Sequence, residues 1–333
     1  MNAMIPIEPR ATGPIAGRRA LAAVATGKGD AISAPRAAPP AGSAAGPFLK
    51  WVGGKGRLLE QLDALLPRTV ERYVEPFVGG GAMFFHLRAT GRAAASVLAD
   101  TNRDVINAWS VVREQPTALV AALEQHDRRY AKLDEAGRAE YFYAVRARHP
   151  LDLERAGQPM TPVDRAARMI FLNRTCFNGL WRENQKGRFN TPHGRYERPQ
   201  IAQPERLRAA SAALDGVALV HADFRQLPEL VRRHGADFVY LDPPYHPISA
   251  TAAFNAYAGG GFTERDQRDL GAVCRALDGM GVRWLLSNSD CPLILEIYHD
   301  FDVRTVRAPR AVNCKADRRG DVDEVVVRNL SRW

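Results

Sequence analysis

Phe238-Val239-Tyr240-Leu241-Asp242-Pro243-Pro244-Tyr245 is the stretch that decides the reading of this chain. Four β-prone residues predict a buried strand, and two successive prolines forbid its continuation. The strand must stop and turn, leaving a carboxylate, a rigid backbone carbonyl and an aromatic ring at its carboxyl end. In open α/β sheets that end is where ligands sit. The three groups suit an amino group on a flat heterocycle. Asp242 and a backbone carbonyl accept its two N–H bonds, and Tyr245 stacks on the ring. Read alone, the tetrapeptide also fits a strand-ending turn in which Asp242 caps the next segment and Tyr245 is core.

Working outward, strand-like runs stand at Tyr73-Val74-Glu75, Ser96-Val97-Leu98, Val217-Ala218-Leu219-Val220 and Arg283-Trp284-Leu285-Leu286. Helical patterns separate most of them, at Ala82 to Arg88, Val105 to Arg113 and Arg265 to Leu277. That alternation predicts an α/β protein with a doubly wound, mostly parallel sheet. Two late runs, Phe301 to Val306 and Glu324 to Val327, have no helix between them and predict an antiparallel hairpin at one edge. Between 115 and 204 the alternation breaks into a helical, Arg-rich stretch and then a Gly/Asn-rich one. The chain thus divides into an inserted helical domain (115–204) and an α/β catalytic domain (47–114 and 205–333). Residues 1–46 are Ala-, Gly- and Pro-rich and read as a disordered leader or a misassigned start. Arg18-Arg19 and the short apolar run after it imitate an export signal, but the run is too short and Lys28 and Asp30 follow.

The 333 residues are 46% hydrophobic and 25% charged, the balance of a soluble globular protein, and no apolar run has the length of a membrane span. The net charge of +9 favours a polyanionic partner such as nucleic acid. From Arg165 to Arg208 ten cations face only Glu183, Glu197 and Glu205, so most of the excess lies beside the Gly/Asn-rich segment, as a phosphate-tracking surface requires. Cys176, Cys274, Cys291 and Cys314 are scattered, with no CxxC pair and no ligand cluster, which fits a reducing cytoplasm and no zinc.

Tyr73-Val74-Glu75-Pro76-Phe77-Val78-Gly79-Gly80-Gly81-Ala82 reads as strand, glycine turn and helix start, where the backbone can approach a ligand without a Cβ in the way. The dinucleotide spacing GxGxxG and the Walker lysine are both absent. Asp100 ends the next strand, placed to accept ribose hydroxyls. Asp223-Phe224 follows the third, where a carboxylate can take an adenine amino group and a ring can pack on the base. Each Asp taken singly also reads as a helix cap. Upstream, Trp51 and Lys55 flank Gly53-Gly54: Lys55 can pair with a carboxylate, and Trp51 can cover a base or a sulfonium.

Several motifs stand in one order from about Phe48 to Asn329: Phe48-Leu49-Lys50-Trp51-Val52-Gly53-Gly54-Lys55, Val74 to Gly81, Asp100-Thr101-Asn102, Leu172 to Arg182, Gly187-Arg188-Phe189-Asn190, Asp242 to Tyr245 and Leu286-Ser287-Asn288-Ser289-Asp290. Together and in that order they resemble the Dam family of DNA adenine-N6 methyltransferases. The resemblance implies a Rossmann-like methyltransferase sheet with S-adenosylmethionine as cofactor. It places Trp51, Lys55, Glu75, Phe77, Gly79, Gly81, Asp100, Asp223 and Phe224 around that cofactor, and Asp242, Pro243, Pro244 and Tyr245 on the target adenine. One departure stands out: Ala222-Asp223-Phe224 replaces the family's Gly-Asp-Phe, which puts the tightness of that turn in question.

Adenine N6 is a poor nucleophile because its lone pair is delocalised into the ring. Accepting both N–H bonds, through Asp242 and the Pro243 carbonyl, frees that pair to attack the sulfonium methyl. The leaving group is a neutral thioether, so no metal is required. The base must be flipped from its duplex onto Tyr245, and Phe177 is the candidate wedge for the void. Arg182 and Asn178 are candidates for base edges, and Arg174, Lys186, Arg188 and Asn190 for further DNA contacts. Lys315, with Arg318 and Arg319, is a candidate second phosphate clamp. The expected enzyme acts on double-stranded DNA at a short palindrome resembling GATC. It is expected to be a monomer in the cytoplasm, at the nucleoid, with a companion restriction endonuclease as one setting. The alternatives are a cytosine-N4 methyltransferase, which needs the same amine geometry, and a DNA-binding relative without catalysis.

Overall fold

A computed structural model describes residues 45–51, 53–248, 261–309 and 321–329. After a short helix α1 (Leu59–Asp63), the chain runs β1 (Val70–Glu75), α2 (Ala82–Ala89), β2 (Ala93–Asp100) and α3 (Arg103–Glu114). Four helices follow: α4 (Pro116–Ala131), α5 (Glu135–Ala147), α6 (Pro150–Arg155) and α7 (Pro162–Thr175). Then come α8 (Pro204–Ala213), β3 (Ala218–His221), α9 (Leu227–His234) and β4 (Phe238–Leu241). The last described elements are α10 (Glu264–Gly279), β5 (Arg283–Ser289), α11 (Pro292–Ile297), β6 (Asp302–Pro309) and β7 (Asp321–Arg328).

The seven strands form one sheet in the order β3-β2-β1-β4-β5-β7-β6. β1 to β5 are mutually parallel, while β7 runs antiparallel to both β5 and β6, with Val306 opposite Glu324. The expected doubly wound sheet and antiparallel edge are both present. The winding reverses between β1 and β4, which pair through Tyr73↔Phe238 and Val74↔Val239. A crevice opens at such a reversal, outside the carboxyl ends of the strands. Those ends carry Glu75 and Asp242. All four β4 residues are buried, as the apolar run predicts for a central strand covered on both faces.

Helices α4, α5 and α7 contribute to one hydrophobic cluster with α3, α8 and a face of the sheet, through Trp109, Leu119, Leu123, Phe142, Phe171 and Leu207. α7 is the axis of this region. Thr161 caps it by accepting the Asp164 amide at 3.1 Å, Pro162 starts it, and every residue from Ala166 to Thr175 is buried. Near its end Asn173 grips the backbone of Lys50 from both sides, accepting its N–H at 2.8 Å and donating to its carbonyl at 2.7 Å. That pair pins the Phe48–Trp51 segment beside the sheet, delivering Trp51 and Lys55 to the crevice. No helix among the described residues is long and apolar enough to cross a membrane.

Candidate active site

The crevice is a cavity of about 750 Å³, and its walls join the glycine turn to Asp242-Pro243-Pro244-Tyr245. Trp51, Lys55, Glu75, Phe77, Gly81, Asp100, Asp223 and Phe224 also line it. Gly79 lies just behind. Its N–H donates to Asp100 Oδ2 at 3.1 Å and its carbonyl accepts from Trp109 Nε1 at 3.0 Å. With φ of +43° and the Trp51 ring 2.5 Å from where a Cβ would stand, position 79 admits only glycine. Gly81 is likewise left-handed, and a Cβ there would meet the Trp109 ring at 2.4 Å. The glycines therefore serve the close approach of two tryptophans as much as that of a ligand.

At the β4 end, Lys55 Nζ lies 2.7 Å from Asp242 Oδ1, with side-chain exposures of 3% and 22%. The same ammonium donates to the Gly53 carbonyl at 2.7 Å and sits 4.6 Å from the centre of the Tyr245 ring. Tyr245 Oη donates to Glu324 Oε2 on β7 at 2.7 Å. The Pro244 carbonyl is taken by Gln267 Nε2 at 2.9 Å, whereas the Pro243 carbonyl accepts nothing from the described residues. Burial pushes the Asp242 carboxyl up against the opposing pull of Lys55, and Glu324 adds to the push. Glu75 is pushed up to about 8, chiefly by burial and then by the charges of Asp242 and Asp100, although Tyr73 Oη donates to it at 2.8 Å. Asp100 is raised by burial to about 6, against the amides of Asn102 and Gly79. A cavity with carboxyls held this high favours a cationic occupant.

The far end is aromatic. Phe77 stacks on Phe224 at 5.7 Å between centroids, and Phe262 stands 6.0 Å from Phe77 and 5.3 Å from Phe224. Asp223 is a helix cap after all, accepting the Arg225 amide at 2.9 Å, and it also meets the Arg225 guanidinium. Arg225 is held in turn by Asp266 at 2.5 Å and Asp269 at 2.7 Å. Phe262, Arg225 and Asp266 line the cavity, and sequence reasoning missed them. The one available signal was the Thr263-to-Asp266 capping box directly after Phe262.

Trp181 lines the cavity from the stretch after α7, and its Nε1 donates to Glu183 Oε1 at 2.8 Å. The same oxygen accepts from Asn102, the N-cap of α3, at 2.9 Å. The stretch 182–190 folds back on itself: the Asn190 amide donates to the Arg182 carbonyl at 2.9 Å, and Arg182 Nε donates to Asn190 Oδ1 at 2.8 Å. Arg182, Lys186 and Arg188 are exposed on it, with Arg188 paired to Asp152 at 2.8 Å. Phe177 is 46% exposed, so it is not the core aromatic that its residue type would suggest. Asn178 beside it adopts φ of +53° and donates its amide to Tyr196 Oη at 3.1 Å.

Arg174 requires a correction. It lies on the buried α7, 8% exposed, and donates Nη2 to the Phe48 carbonyl at 2.6 Å, so it does not face a DNA backbone. Arg168 is buried as well, giving its guanidinium to the carbonyls of Val145 and Arg146. A count of arginines reports charge but not direction. Lys315, Arg318 and Arg319 lie outside the described residues.

Residues 51–312 match the family of D12 class N6 adenine-specific DNA methyltransferases, a span running from Trp51 through the glycine turn and the 182–190 stretch to beyond Tyr245. The chain belongs to this family. A type II methyltransferase, M.MjaIII of Methanocaldococcus jannaschii, is 37% identical over 85% of the chain and 98% of its own length. The DNA adenine methylase of Escherichia coli K12 is 33% identical over 84% and 93%. A solved rRNA methylase from Streptococcus thermophilus aligns over 82% of the chain and 95% of its own at 10% identity with a TM-score of 0.29, too loose a likeness to add to the sheet order. As a D12 class enzyme the protein transfers a methyl group from a donor cofactor to adenine N6 in DNA, and the cytosine-N4 alternative is set aside.

Proposed function

We propose that the donor is S-adenosylmethionine and that it lies across the cavity between the glycine turn and Asp242. The observation that carries this is the continuity of one cavity from the Phe77–Phe224–Phe262 cluster to the Lys55–Asp242 pair. The aromatic end suits the adenine of the donor, Asp100 its ribose, and the raised carboxyls its sulfonium. The target adenine, everted from the duplex, stacks on Tyr245. It gives one N6–H to the Asp242 oxygen not held by Lys55 and the other to the Pro243 carbonyl. The N6 lone pair attacks the methyl carbon, the C–S bond breaks toward sulfur, and the surplus N6 proton passes to Asp242 or water. Positioning and local charge supply the catalysis. Phe177, exposed at a strained turn, enters the duplex where the base has left. The site is short and GATC-like, and the enzyme works as a monomer in the cytoplasm, in a restriction–modification system or alone. Incubation with labelled donor and genomic DNA, followed by mapping of modified bases, tests the reading; label on cytosine N4, or none, would refute it.

Affinity for the donor should rise with pH. Glu75 carries its proton up to about 8, and a sulfonium beside it favours the ionised form, so binding near pH 7 releases a proton. Titration calorimetry in buffers of different ionisation enthalpy reads that release directly. The neutral thioether product should show much less of it, and equal proton release for both would remove the carboxyls from the argument.

Arg182→Ala is expected to relax sequence preference at one base pair by about 1–3 kcal/mol. Asn190 holds the Nε of this guanidinium, which leaves its far edge to a base. A weakening equal on all DNA sequences would make it a phosphate contact.

A further inference from the structure

Two amide side chains outside the cavity, Gln267 on α10 and Asn288 on β5, are completely buried. The amides of His246 and Ser289 both point at Asn288 Oδ1, at 3.2 and 2.8 Å, so its oxygen must face them. Its Nδ2 therefore turns to Gln267 Oε1, at 3.0 Å. That fixes Gln267 in turn, with Nε2 toward the Pro244 carbonyl at 2.9 Å. Ser289 Oγ closes the set on the His246 carbonyl at 2.7 Å. The polarity of the whole chain of bonds is determined, with no alternative flip that keeps every donor on an acceptor.

These bonds hold the backbone on both sides of Tyr245, while no described residue donates to the Pro243 carbonyl. We propose that Gln267 and Asn288 are positioning residues for methyl transfer: a directional amide clamp sets the Asp242–Tyr245 loop and selects which proline carbonyl receives the target amine. The inference rests on the proposed role of that loop. A misplacement of an ångström there costs about 100-fold in rate, so Gln267→Met should lower kcat by about that factor with donor affinity little changed.

Gln267→Glu separates positioning from bulk. As a buried neutral acid it has one O–H for the Pro244 carbonyl and one acceptor for Asn288. Once ionised it has no donor. Burial raises its pKa toward neutrality, so kcat relative to wild type should fall as pH rises through that value, a dependence that lost packing alone would not produce. Hydrogen exchange of the His246 amide gives a readout independent of activity: slow in the wild type, fast in Asn288→Ala, with protection in β1 to β4 unchanged. Wild-type kcat and a slow His246 amide in the Met and Ala variants would overturn the clamp, as would a pH-independent Glu variant. Absence of transfer by the wild type itself would count against the loop's catalytic role, and the exchange data would then decide the clamp alone.

Discussion

Asp242→Ala is expected to lower methyl transfer by about 10³-fold, on the order of 4 kcal/mol of barrier, while the glycine turn still binds the donor. In the proposed reaction the carboxylate is the acceptor that draws N6 toward a nucleophilic geometry, and among the described residues no neighbouring carboxyl replaces it: Glu75 carries its proton to about 8 and Glu324 is engaged by Tyr245. The substitution also strands the Lys55 ammonium, which is only 3% exposed. Removing one partner of a fully dry pair costs about 3–5 kcal/mol, and the 22% exposure of Asp242 brings the expected loss nearer about 2. Asp242→Ala/Lys55→Met should regain much of that stability and none of the activity. Single-turnover rates beside melting curves separate the two effects. A double variant that regained turnover would show that Asp242 acts only by restraining Lys55.

Trp109→Ala should cost about 3–5 kcal/mol, as removal of a buried large aromatic does, with a fall in Tm of about 4–7 °C for a protein of this size. The indole is fully buried, stacks on Phe85 at 5.6 Å and meets Phe48 edge-on at 4.9 Å. Its N–H also supports the turn through the Gly79 carbonyl. Trp109→Phe refills most of the volume without that donor, so it should recover most of the melting temperature while donor affinity stays reduced. A Trp109→Ala protein melting within a degree or two of wild type would show that the sheet carries the turn unaided.

The strands were legible because each centres on a short apolar or β-branched run, and two of them lead into a proline that cannot continue the ladder, Pro76 after Glu75 and Pro243 after Asp242. The carboxylates were legible for the same reason, since a strand end fixes where a side chain emerges. Gln267, Asn288, Phe262 and Trp109 were not. Gln267, Asn288 and Trp109 reach the site from a helix or strand and Phe262 from the loop before α10; the local pattern describes only each residue's own burial, and the partner lies tens of residues away. Arg174 was misread because a charged residue in an Arg-rich stretch suggests a surface, whereas α7 is buried from Ala166 onward, and Arg168 and Arg174 there answer backbone carbonyls.

The placement of β7 between β5 and β6 has a bearing on biosynthesis. A nascent polypeptide extended only through β5 already owns its glycine bend and its acidic strand tip, yet the Tyr245 hydroxyl lacks its partner, because Glu324 is still to be translated. Full competence to modify DNA is therefore expected only once β7 has been made and has taken its place beside β5.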